Sequence, residues 1–396
     1  MKFELPSDWS IRELQTLVKK DSRITYGIVQ TGEPVKNGIP CVRVVDLVSN
    51  NLSVADMITT SPEISDSYKR TILQKSDLMF ALRGEIGCVA KVTKELVGAN
   101  LTRGVALISP GKNVAPDYLL WALRSEMVRI DIMKRVNGSA LREIPILGLR
   151  RVKIPLPPLP EQRKIAGILG TWDEAIALAE RRIEAARQRK KGLMQRLLTG
   201  RVRFPEFEGE EWREIRLGSV FTERKERGYE DLPLLSVTAD EGIIYRDELD
   251  RRDTSSADKS KYLRVCKGDI AYNTMRMWQG RSGVSRLEGI VSPAYTVCKP
   301  KSSIDSDFMG YLFQLPSVVY LFRRYSQGMV SDTWNLKFNH FAQIHIRIPE
   351  IREQRRIAAV LQACDREIEL LTQKRDALQR QKKGLMQRLL TGQVRV

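Results

Sequence analysis

Two long stretches of the chain carry apolar residues at alternating steps of four and three positions. The first set is Ile165, Leu169, Trp172, Ile176, Ala179, Ile183, Ala186, Lys190, Leu193 and Leu197. The second set is Ile357, Leu361, Cys364, Ile368, Leu371, Arg375, Leu378, Lys382, Leu385 and Leu389. These steps average about 3.5 residues, which is the period of a coiled coil. The pattern predicts two long helices that pair through these positions, which we call the seam.

The two stretches are copies of each other. The segment KKGLMQRLLTG occupies Lys190–Gly200 and recurs unchanged at Lys382–Gly392. Extended backwards without gaps, Glu161–Phe204 matches Glu353–Val396 with 23 identities in 44 positions. A glycine at the end of each copy suits a helix C-terminus. The chain therefore contains the same long helix twice.

The lengths of the segments predict the direction of pairing. Each helix has about 38 residues and a length of roughly 57 Å. The connecting segment has about 145 residues, a size for which a compact domain has a radius of gyration near 15 Å and termini that lie close together. Such a domain does not return the chain along the whole helix, so the two helices are expected to be antiparallel.

Several positions in the helices depart from the ideal pattern. Gly167 and Gly170 weaken the first helix by about 1 kcal/mol each relative to alanine. Lys190, Lys382 and Arg375 put charges on the seam. These charges either weaken the pairing or contact a third body.

The segment before each helix has the pattern of a small α+β domain. Short β-rich runs lie at Cys41–Leu47, Gly104–Ile108, Ala294–Cys298 and Ile344–Ile348, and helical patterns lie at Asp117–Lys134 and Asp307–Tyr325. Three motifs relate the segments: Trp9–Leu14 to Trp212–Leu217, Ser76–Gly87 to Gly268–Gly283, and Ile108–Pro110 to Val291–Pro293. In the second motif an aspartate precedes a strand, and a GxxG follows at Gly84/Gly87 and Gly280/Gly283.

The predicted fold is α+β, with two globular domains joined by two long helices in an antiparallel coiled coil with pseudo-two-fold symmetry. The predicted boundaries are residues 1–155 for the first domain, 156–204 for the first helix, 205–347 for the second domain and 348–396 for the second helix. The helices match far better than the domains do. A shared scaffold with divergent domains is what a protein needs if it recognises two different targets.

Composition narrows the class of protein. The sequence has no long apolar run and no apolar N-terminal segment, so a soluble cytoplasmic protein is expected. The five cysteines are scattered without a CxxC pair, which favours free thiols over disulfides or zinc. The net charge of +18 and the pI of about 9.7 favour a nucleic-acid partner. The two long helices contribute +6 and +5 of this net charge. Their charged faces could be exposed to solvent, contact another subunit or lie beside DNA.

No catalytic motif stands out. The adenine-methyltransferase tetrapeptide [DNS]-P-P-[YF] is absent, and the single PP at Pro157–Pro158 precedes a helix. There is neither a phosphate-binding GxxxxGK[ST] loop nor a GxGxxG cofactor loop. The two histidines, His340 and His345, have no cysteine nearby, so no metal site is predicted. The chain is therefore not expected to be an enzyme by itself.

The sequence resembles the specificity subunit of Type I restriction–modification systems. The resemblance lies in PLPPLPEQRKIAGIL at Pro155–Leu169, IPEIREQRRIAAVL at Ile348–Leu361, VSPAYTV at Val291–Val297 and the repeated KKGLMQRLLTG. It implies two target-recognition domains, each for one half of a split double-stranded DNA sequence, spaced by the coiled coil. It also implies two modification subunits that methylate adenine with S-adenosylmethionine, and restriction subunits that use ATP and magnesium. No cofactor is expected on this chain.

Basic, amide-rich and glycine-containing loops are the predicted DNA contacts, because Lys and Arg bind phosphates and Arg, Lys, Asn and Gln bind base edges. In the first domain these residues are Arg83, Gly84, Arg103, Lys134, Arg135, Asn137, Ser139 and Arg142. In the second they are Asn273, Arg276, Gln279, Arg281, Arg323, Arg324, Trp334, Asn335 and Lys337. The alternative for each residue is a solvated surface position.

Two other functions fit the same pattern. The chain could act alone as a bivalent DNA-binding regulator, which would need no stable methyltransferase partner. It could also be a coiled-coil adaptor whose domains bind protein, which would show no salt-dependent, sequence-specific DNA binding. If the coiled coil is a spacer, four extra residues in one helix would add about 6 Å, or nearly two base pairs.

Overall fold

The structure is a computed structural model that describes residues 5–49, 52–139, 141–238, 242–249, 256, 258–330 and 333–396. The chain divides into two compact units. Unit 1 combines Met1–Glu180 with Gln373–Val396, and unit 2 is Arg181–Thr372. Each unit is α+β, as predicted. No helix in the described ranges combines the length and the apolar character that crossing a membrane requires.

Unit 1 contains nine strands and five short helices within its described residues. The strands are β1 (Ser10–Glu13), β2 (Thr25–Tyr26), β3 (Ile39–Val42), β4 (Ile58–Thr60), β5 (Leu78–Ala81), β6 (Val89–Lys91), β7 (Asn100–Leu101), β8 (Val105–Ile108) and β9 (Lys153–Leu156). The helices are α1 (Val44–Val48), α2 (Pro62–Ser67), α3 (Pro116–Arg124), α4 (Glu126–Met133) and α5 (Ile146–Arg150). Helix α6 (Leu159–Leu197) begins in this unit and ends in unit 2.

A four-stranded sheet in the order β2-β8-β5-β6 forms the centre of unit 1. All four residues of β5 are buried, because α3 and α4 cover one face and the three-stranded sheet β4-β3-β7 lies on the other side of the core. Strand β1 pairs antiparallel with β9, which leads directly into α6. This separate two-stranded sheet thereby leads into the long helix.

Unit 2 contains ten strands, four short α-helices and helix α11 within its described residues. The strands are β10 (Arg213–Arg216), β11 (Phe221–Glu223), β12 (Leu235–Val237), β13 (Ile243–Tyr245), β14 (Leu263–Val265), β15 (Ile270–Asn273), β16 (Ser282–Val284), β17 (Gly289–Val291), β18 (Tyr295–Pro300) and β19 (His345–Ile348). The helices are α7 (Leu217–Val220), α8 (Ser306–Leu312), α9 (Pro316–Tyr325), α10 (Phe338–Phe341) and α11 (Ile351–Leu390), of which the last ends in unit 1.

The central sheet of unit 2 repeats that of unit 1, in the order β11-β18-β15-β16. The aspartate before each central strand has the same structural role. Asp77 accepts a hydrogen bond from the Gln74 amide at 2.9 Å, and Asp269 accepts one from the Cys266 amide at 2.8 Å. Each carboxylate thus closes the turn that enters the strand. Burial raises the pKa of Asp77, whereas Asp269 is also bound by the guanidinium of Arg224 at 2.7 Å.

The two long helices run antiparallel where they meet inside each unit, as predicted. In unit 2, Lys190 contacts Asp365 at 2.6 Å, and further along the chain Arg203 contacts Glu353 at 2.5 Å. Residue numbers rise along the first chain segment, from 190 to 203, while those of the contacted residues fall along α11, from 365 to 353. The two segments are therefore antiparallel. The seam residues Ile165, Leu169, Ile176, Ile183, Leu197, Ile357, Leu361 and Leu389 are buried, and Trp172, Leu193, Ile368, Leu371, Leu378 and Leu385 are half-buried.

The seam lysines have partners inside the protein. In unit 2, Lys190 contacts Asp365 and also lies 5.0 Å from the centre of the Tyr311 ring. In unit 1, Lys382 pairs with Asp173 and lies 4.1 Å from the centre of the Trp121 ring. Each ammonium group therefore has a carboxylate and an aromatic face beside it, an arrangement that compensates a cation on an apolar seam. Neither lysine needs a third body to be satisfied.

Three local expectations were wrong. The run Cys41–Leu47 is half strand and half helix, because Asp46 accepts a hydrogen bond from the Arg43 amide at 2.7 Å and starts α1. The predicted helix Asp117–Lys134 breaks at Ser125, whose extended backbone and hydroxyl cap α4. The predicted helix Asp307–Tyr325 breaks at Leu315, the residue before Pro316, where α9 begins.

Two motif alignments also shift. The strand pairing makes Leu78–Ile108 equivalent to Ile270–Cys298, so Ile108–Pro110 corresponds to residues 298–300 and not to Val291–Pro293. Phe80 pairs with Val89 in one sheet, and the equivalent Tyr272 pairs with Ser282 in the other. Gly87 and Gly280 each lie two residues before these partners, so they are equivalent. Both of these glycines have positive φ, of 90° and 79°, just before the return strand. The conserved feature of the two loops is therefore this left-handed glycine.

Candidate nucleic-acid interface

The predicted DNA-binding loops of unit 1 meet at one end of its central sheet. Beyond β5, the Leu82 amide donates to the carbonyl of Gly104 at 2.9 Å, and its carbonyl accepts from the Ile144 amide at 2.9 Å. Arg83 forms a β-bridge with Glu143. The continuation of β5 therefore lies between the loop that contains Arg103 and the loop Lys134–Arg142. Within the loop Lys134–Arg142, Ala140 lies outside the described residues.

Most of the predicted cations of unit 1 are free to bind an anion. Arg83, Arg103, Lys134 and Arg142 are exposed, and none of them forms an ion pair with another described residue. Arg135 differs, because it is half-buried and its guanidinium contacts Asp131 at 3.2 Å. We therefore assign Arg135 a supporting contact with Asp131 of α4.

Glycines allow a close approach of backbone and side chains here. The guanidinium of Arg83 lies against Gly104, where a Cβ atom would stand 2.9 Å from Nε. Gly84 and Gly138 have φ values of 67° and 88°. Asn137 and Glu143 exchange two backbone hydrogen bonds of 2.9 and 3.0 Å, which close the base of the loop and leave Asn137 and Ser139 exposed.

Unit 2 repeats this arrangement. The Thr274 amide donates to the carbonyl of Ala294 at 3.0 Å, and the Leu336 amide donates to the carbonyl of Thr274 at 2.8 Å. Thr274 thus occupies the position of Leu82. The loop Asn273–Arg281 and the described part of Ser331–Lys337 lie side by side, while Ser331 and Asp332 lie outside the described residues.

An aromatic cluster joins the two loops of unit 2. The rings of Trp278 and Trp334 meet edge to face with centroids 5.4 Å apart. The guanidinium of Arg323 lies 5.1 Å from the centre of the Trp334 ring, and the Trp278 indole donates to the carbonyl of Met275 at 3.0 Å. This cluster connects the two loops and presents a cation on an aromatic face, a combination suited to binding phosphate and to stacking on bases.

The remaining predicted residues of unit 2 separate into two groups. Arg276, Gln279, Arg281, Arg324 and Lys337 are exposed and form no ion pair with a described residue. Two amides instead stabilise loops, since Asn273 Oδ1 accepts from the Met275 amide at 3.0 Å and Asn335 Nδ2 donates to the carbonyls of Gln327 and Thr333, both at 3.3 Å. The first group is the better candidate for contacts with bases and phosphates.

Three residues that the sequence analysis did not select belong to these clusters. Trp278 is a partner of Trp334, and the exposed Leu141 and Met329 lie on the loops that follow α4 and α9. Two indoles that flank basic loops are a signal that could have identified Trp278. No periodicity marks a single apolar residue in a loop, so Leu141 and Met329 emerge only from the structure.

Metal-ligating side chains do not cluster in the described ranges. There is no cluster of three or more His, Cys, Asp or Glu side chains that could hold a metal ion among the residues placed by the structure. All five cysteines are free, and Cys41, Cys298 and Cys364 are buried. Burial raises the pKa of the Cys41 thiol to about 11, so this thiol is protonated and unreactive at neutral pH.

Comparison with known proteins identifies the class. The family described as "Type I restriction modification DNA specificity domain" matches residues 6–188 and 209–380. The putative type I restriction enzyme MjaX specificity subunit of Methanocaldococcus jannaschii is 28% identical over 431 residues, which cover 99% of this chain and 95% of the relative. The EcoBI specificity subunit of Escherichia coli is 28% identical over 198 residues, which cover 50% of this chain and 42% of the relative.

Solved structures share the fold over the whole chain. The HsdS subunit of Thermoanaerobacter tengcongensis matches with a TM-score of 0.52 and 19% identity, covering 99% of both chains. The Type I system S subunit of M. genitalium matches with a TM-score of 0.57 and 16% identity, covering 98% of both. A structure reported for complex assembly of the type I R-M system gives a TM-score of 0.58 at 18% identity.

The protein is thus a two-domain α+β subunit of a restriction–modification system. The chain belongs to the family of Type I restriction–modification DNA specificity subunits, because the family match spans both units. This membership confirms the resemblance found in the sequence. As a specificity subunit, the chain has no catalytic role and no cofactor of its own, and it acts with other subunits.

Proposed function

We propose that this subunit recognises a bipartite DNA sequence, with one half bound by the loops of unit 1 and the other by those of unit 2. The supporting observation is the pair of equivalent loop clusters. In both units the clusters lie beyond the C-terminal end of the central strand, β5 or β15, and carry exposed cations without ion-pair partners among the described residues. Cations of this kind bind phosphates, and amides and arginines bind base edges.

The proposed partners follow from the named relatives, which are type I restriction enzyme specificity subunits. Two modification subunits would methylate adenine with S-adenosylmethionine, and restriction subunits would use ATP and magnesium to move and cut DNA. The complex would act in the cytoplasm. A regulator that acts alone is disfavoured, because the family match spans both units.

The repeated segment KKGLMQRLLTG supports a partner that is present twice. In unit 2, Leu197 and Leu198 pack in one core with Ile357 and Leu361 of the opposite helix. In unit 1, the equivalent Leu389 and Leu390 pack with Ile165 and Leu169. Both units therefore pack the end of one long helix against the beginning of the other in the same way. The exposed residues at these helix ends are also the same, Gln195 and Arg196 in unit 2 and Gln387 and Arg388 in unit 1. Identical surfaces suit two copies of one protein.

The first experiment maps methylated adenines in host DNA, with and without the gene for this chain, and then measures binding of the assembled complex to a duplex with that sequence. We expect binding that is specific and falls steeply with salt. Arg83→Ala and Arg142→Ala should each lower the affinity and reduce the salt dependence by about one ion.

Lys112→Ala is the matched control. Lys112 is also an exposed cation, but it lies beyond the C-terminal end of β8, whereas Arg103 precedes the N-terminal end of that strand. This variant should bind like the wild type. The proposed function is rejected if the assembled wild-type complex prefers no sequence, or if methylation is unchanged when the chain is deleted.

A further inference from the structure

Unit 1 contains a cavity of about 630 Å³ at the end of the central sheet opposite to the candidate DNA-binding loops. Asp77, which precedes β5, lines this cavity, whereas the loops follow the C-terminal end of that strand. The cavity has the volume of a site for a small organic molecule. Its lining carries five cations, Lys19, Arg23, Lys69, Arg70 and Arg150, against the two carboxylates of Asp21 and Asp77.

The carboxylate of Asp77 is buried with one oxygen unsatisfied. The residue is 1% exposed, and its Oδ2 accepts a hydrogen bond from the Gln74 amide at 2.9 Å. Its Oδ1 has no hydrogen-bond partner among the described residues, and the ammonium of Lys19 stands 3.8 Å away. Burial raises the pKa of Asp77, although the Ser109 hydroxyl and the charge of Lys19 act in the opposite direction. Buried polar atoms are almost always hydrogen-bonded, so this oxygen indicates a missing donor.

The equivalent oxygen in unit 2 has such a donor. Arg224 donates from Nη2 to Oδ1 of Asp269 at 3.2 Å and from Nε to Oδ2 at 2.7 Å. Both side chains are buried, with 8% and 2% of their surface exposed. In unit 2 a planar N–H group from the protein itself therefore satisfies the carboxylate.

The strand registers identify the residue of unit 1 that replaces this arginine. The Arg224 amide donates to the carbonyl of Val297 at 2.8 Å, one position beyond the end of β11. Leu107 is the equivalent of Val297, and Leu107 pairs with Thr25. Thr25 therefore stands at the arginine position and lines the cavity. Because threonine is much shorter than arginine, it leaves open the space beside Asp77.

The free cations of the cavity indicate an anionic ligand. Arg23, Lys69 and Arg70 are exposed and form no ion pair with another residue that the structure describes. Arginine and lysine of this kind bind phosphate groups. A phosphate alone would not complete the site, because it carries no N–H donor and Asp77 would repel it. The ligand must therefore combine an anionic end with a donor nitrogen.

We propose that this cavity binds a nucleotide, with its phosphate held by Arg23, Lys69 and Arg70 and an amino group of its base donating to Oδ1 of Asp77. The amino group of a base is a planar N–H donor, like the guanidinium that Asp269 binds in unit 2. Ile72 and Leu107 provide apolar lining beside the base. The site goes beyond the proposed recognition of DNA, because its residues lie at the other end of β5.

Titration calorimetry of the full chain with AMP, GMP and CMP measures this binding. At least one of the three should bind once per chain. UMP should bind at least about tenfold more weakly, because its only base N–H lies between two carbonyl groups that the carboxylate repels. Arg23→Ala and Arg70→Ala should each lower the affinity by about tenfold, through the loss of a charged hydrogen bond. Lys75→Ala is the matched control, since Lys75 is an exposed cation two residues from Asp77 that does not line the cavity.

Thr25→Arg converts the cavity to the arrangement of unit 2. The new guanidinium should pair with Asp77, so nucleotide binding should be lost while the midpoint of thermal unfolding does not fall. If this variant does not fold, Arg23→Ala and Arg70→Ala still decide the question.

The proposal is overturned if AMP, GMP and CMP all fail to bind, or if UMP or inorganic phosphate binds as tightly as they do. Retention of full nucleotide affinity in a folded Thr25→Arg variant would also contradict it. If no nucleotide binds and Arg23→Ala or Arg70→Ala weakens DNA binding by the assembled complex, the cavity contacts the DNA backbone instead. Failure of the wild-type complex to prefer a DNA sequence would reject the proposed function and leave the nucleotide result unaffected.

Discussion

At the scale of single residues, the repeated pair Glu-Gln at the start of each long helix has a structural task. Gln162 accepts a hydrogen bond from the Ala115 amide at 2.8 Å and donates to the Pro157 carbonyl at 2.9 Å. Gln354 makes the equivalent bonds to Asp305 and Pro349 at 2.9 and 2.8 Å. Each glutamine thereby ties its long helix to the residue that caps α3 or α8.

The neighbouring glutamates are buried and bound by arginines from the other end of the repeat. Glu353 is 1% exposed and binds Arg203 at 2.9 and 2.5 Å. Glu161 is 6% exposed and binds Arg395 at 2.6 and 2.9 Å, and it also accepts from the Trp9 indole at 3.1 Å. The sequence showed only that Glu161 and Glu353 begin the two copies of the repeat. It could not reveal a partner more than 200 residues away.

Arg203→Met should destabilise unit 2 by about 3 kcal/mol, because the change leaves the carboxylate of Glu353 buried without its partner. Hydrogen exchange of peptides from Arg181–Thr372 measures the local free energy of opening in that unit. The double variant Arg203→Met with Glu353→Gln should recover most of the loss, since the buried group is then neutral.

Arg395→Met is the matched comparison in unit 1. Its side chain is 45% exposed against 17% for Arg203, and Glu161 keeps the indole of Trp9 as a donor. The loss of stability in unit 1 should therefore be smaller than the loss that Arg203→Met causes in unit 2. Equal losses would show that burial of the pair does not determine its contribution.

At the scale of elements, the long helix α6 continues through both of its early glycines. Gly167 and Gly170 have open space where a Cβ atom would be. Gly167→Ala should therefore stabilise the protein by about 1 kcal/mol, through helix propensity alone. Gly27→Ala is the opposite control, because its Cβ atom would stand 2.0 Å from the carbonyl oxygen of Leu101. Urea unfolding of both variants checks the two signs, and a Gly167→Ala variant of reduced stability would contradict the prediction.

The sequence predicted some elements well and others poorly, for a physical reason. A seam that repeats over about ten turns carries enough periodic signal to define a helix, its pairing face and its direction. The strands of the two domains have two to six residues. A strand this short has too few alternating apolar and polar residues to predict its partner strand. The pairing of Leu78 with Ile108, and of Ile270 with Cys298, comes from contacts between distant segments and corrected two motif alignments.

The same limit applies to the candidate interface. Composition located the basic loops, and both sets of loops come together beside the central strands. It could not distinguish Arg135, which pairs with Asp131, from Arg142, which forms no ion pair with a described residue. It could not identify Leu141 and Met329 either, since exposure of an apolar side chain is a property of the folded loop.

At the scale of the whole molecule, we expect the long helices to set the distance between the two half-sites. One extra heptad in each helix, inserted after Glu180 and after Arg375, keeps the seam in phase and leaves Lys190 opposite Asp365 and Lys382 opposite Asp173. The heptad adds about 10 Å, so the spacer between methylated half-sites should lengthen by about three base pairs. Methylation mapping in a host with the lengthened chain measures this spacer.

A four-residue insertion into α6 alone is the contrasting variant. It changes the seam phase on one helix and separates partners that meet inside the units, such as Lys190 and Asp365. We therefore expect impaired assembly, and not the spacer longer by about two base pairs that the sequence pattern alone suggested. If the heptad variant assembles and keeps the original spacer, the helices do not determine the spacing.

Unit 1 is built from two separate segments of the chain, which affects how the protein folds during its synthesis. Its core contains Leu389 and Leu390, each 1% exposed, which the ribosome adds more than 200 residues after α6 begins. Unit 2 needs only the uninterrupted segment Arg181–Thr372. The second recognition domain can therefore finish folding first, while the first waits with an uncovered hydrophobic surface until Leu389 and Leu390 have been synthesised. A premature stop codon ahead of Leu389 would consequently damage the domain that is encoded earlier in the gene, although that domain's own strands would all have been translated.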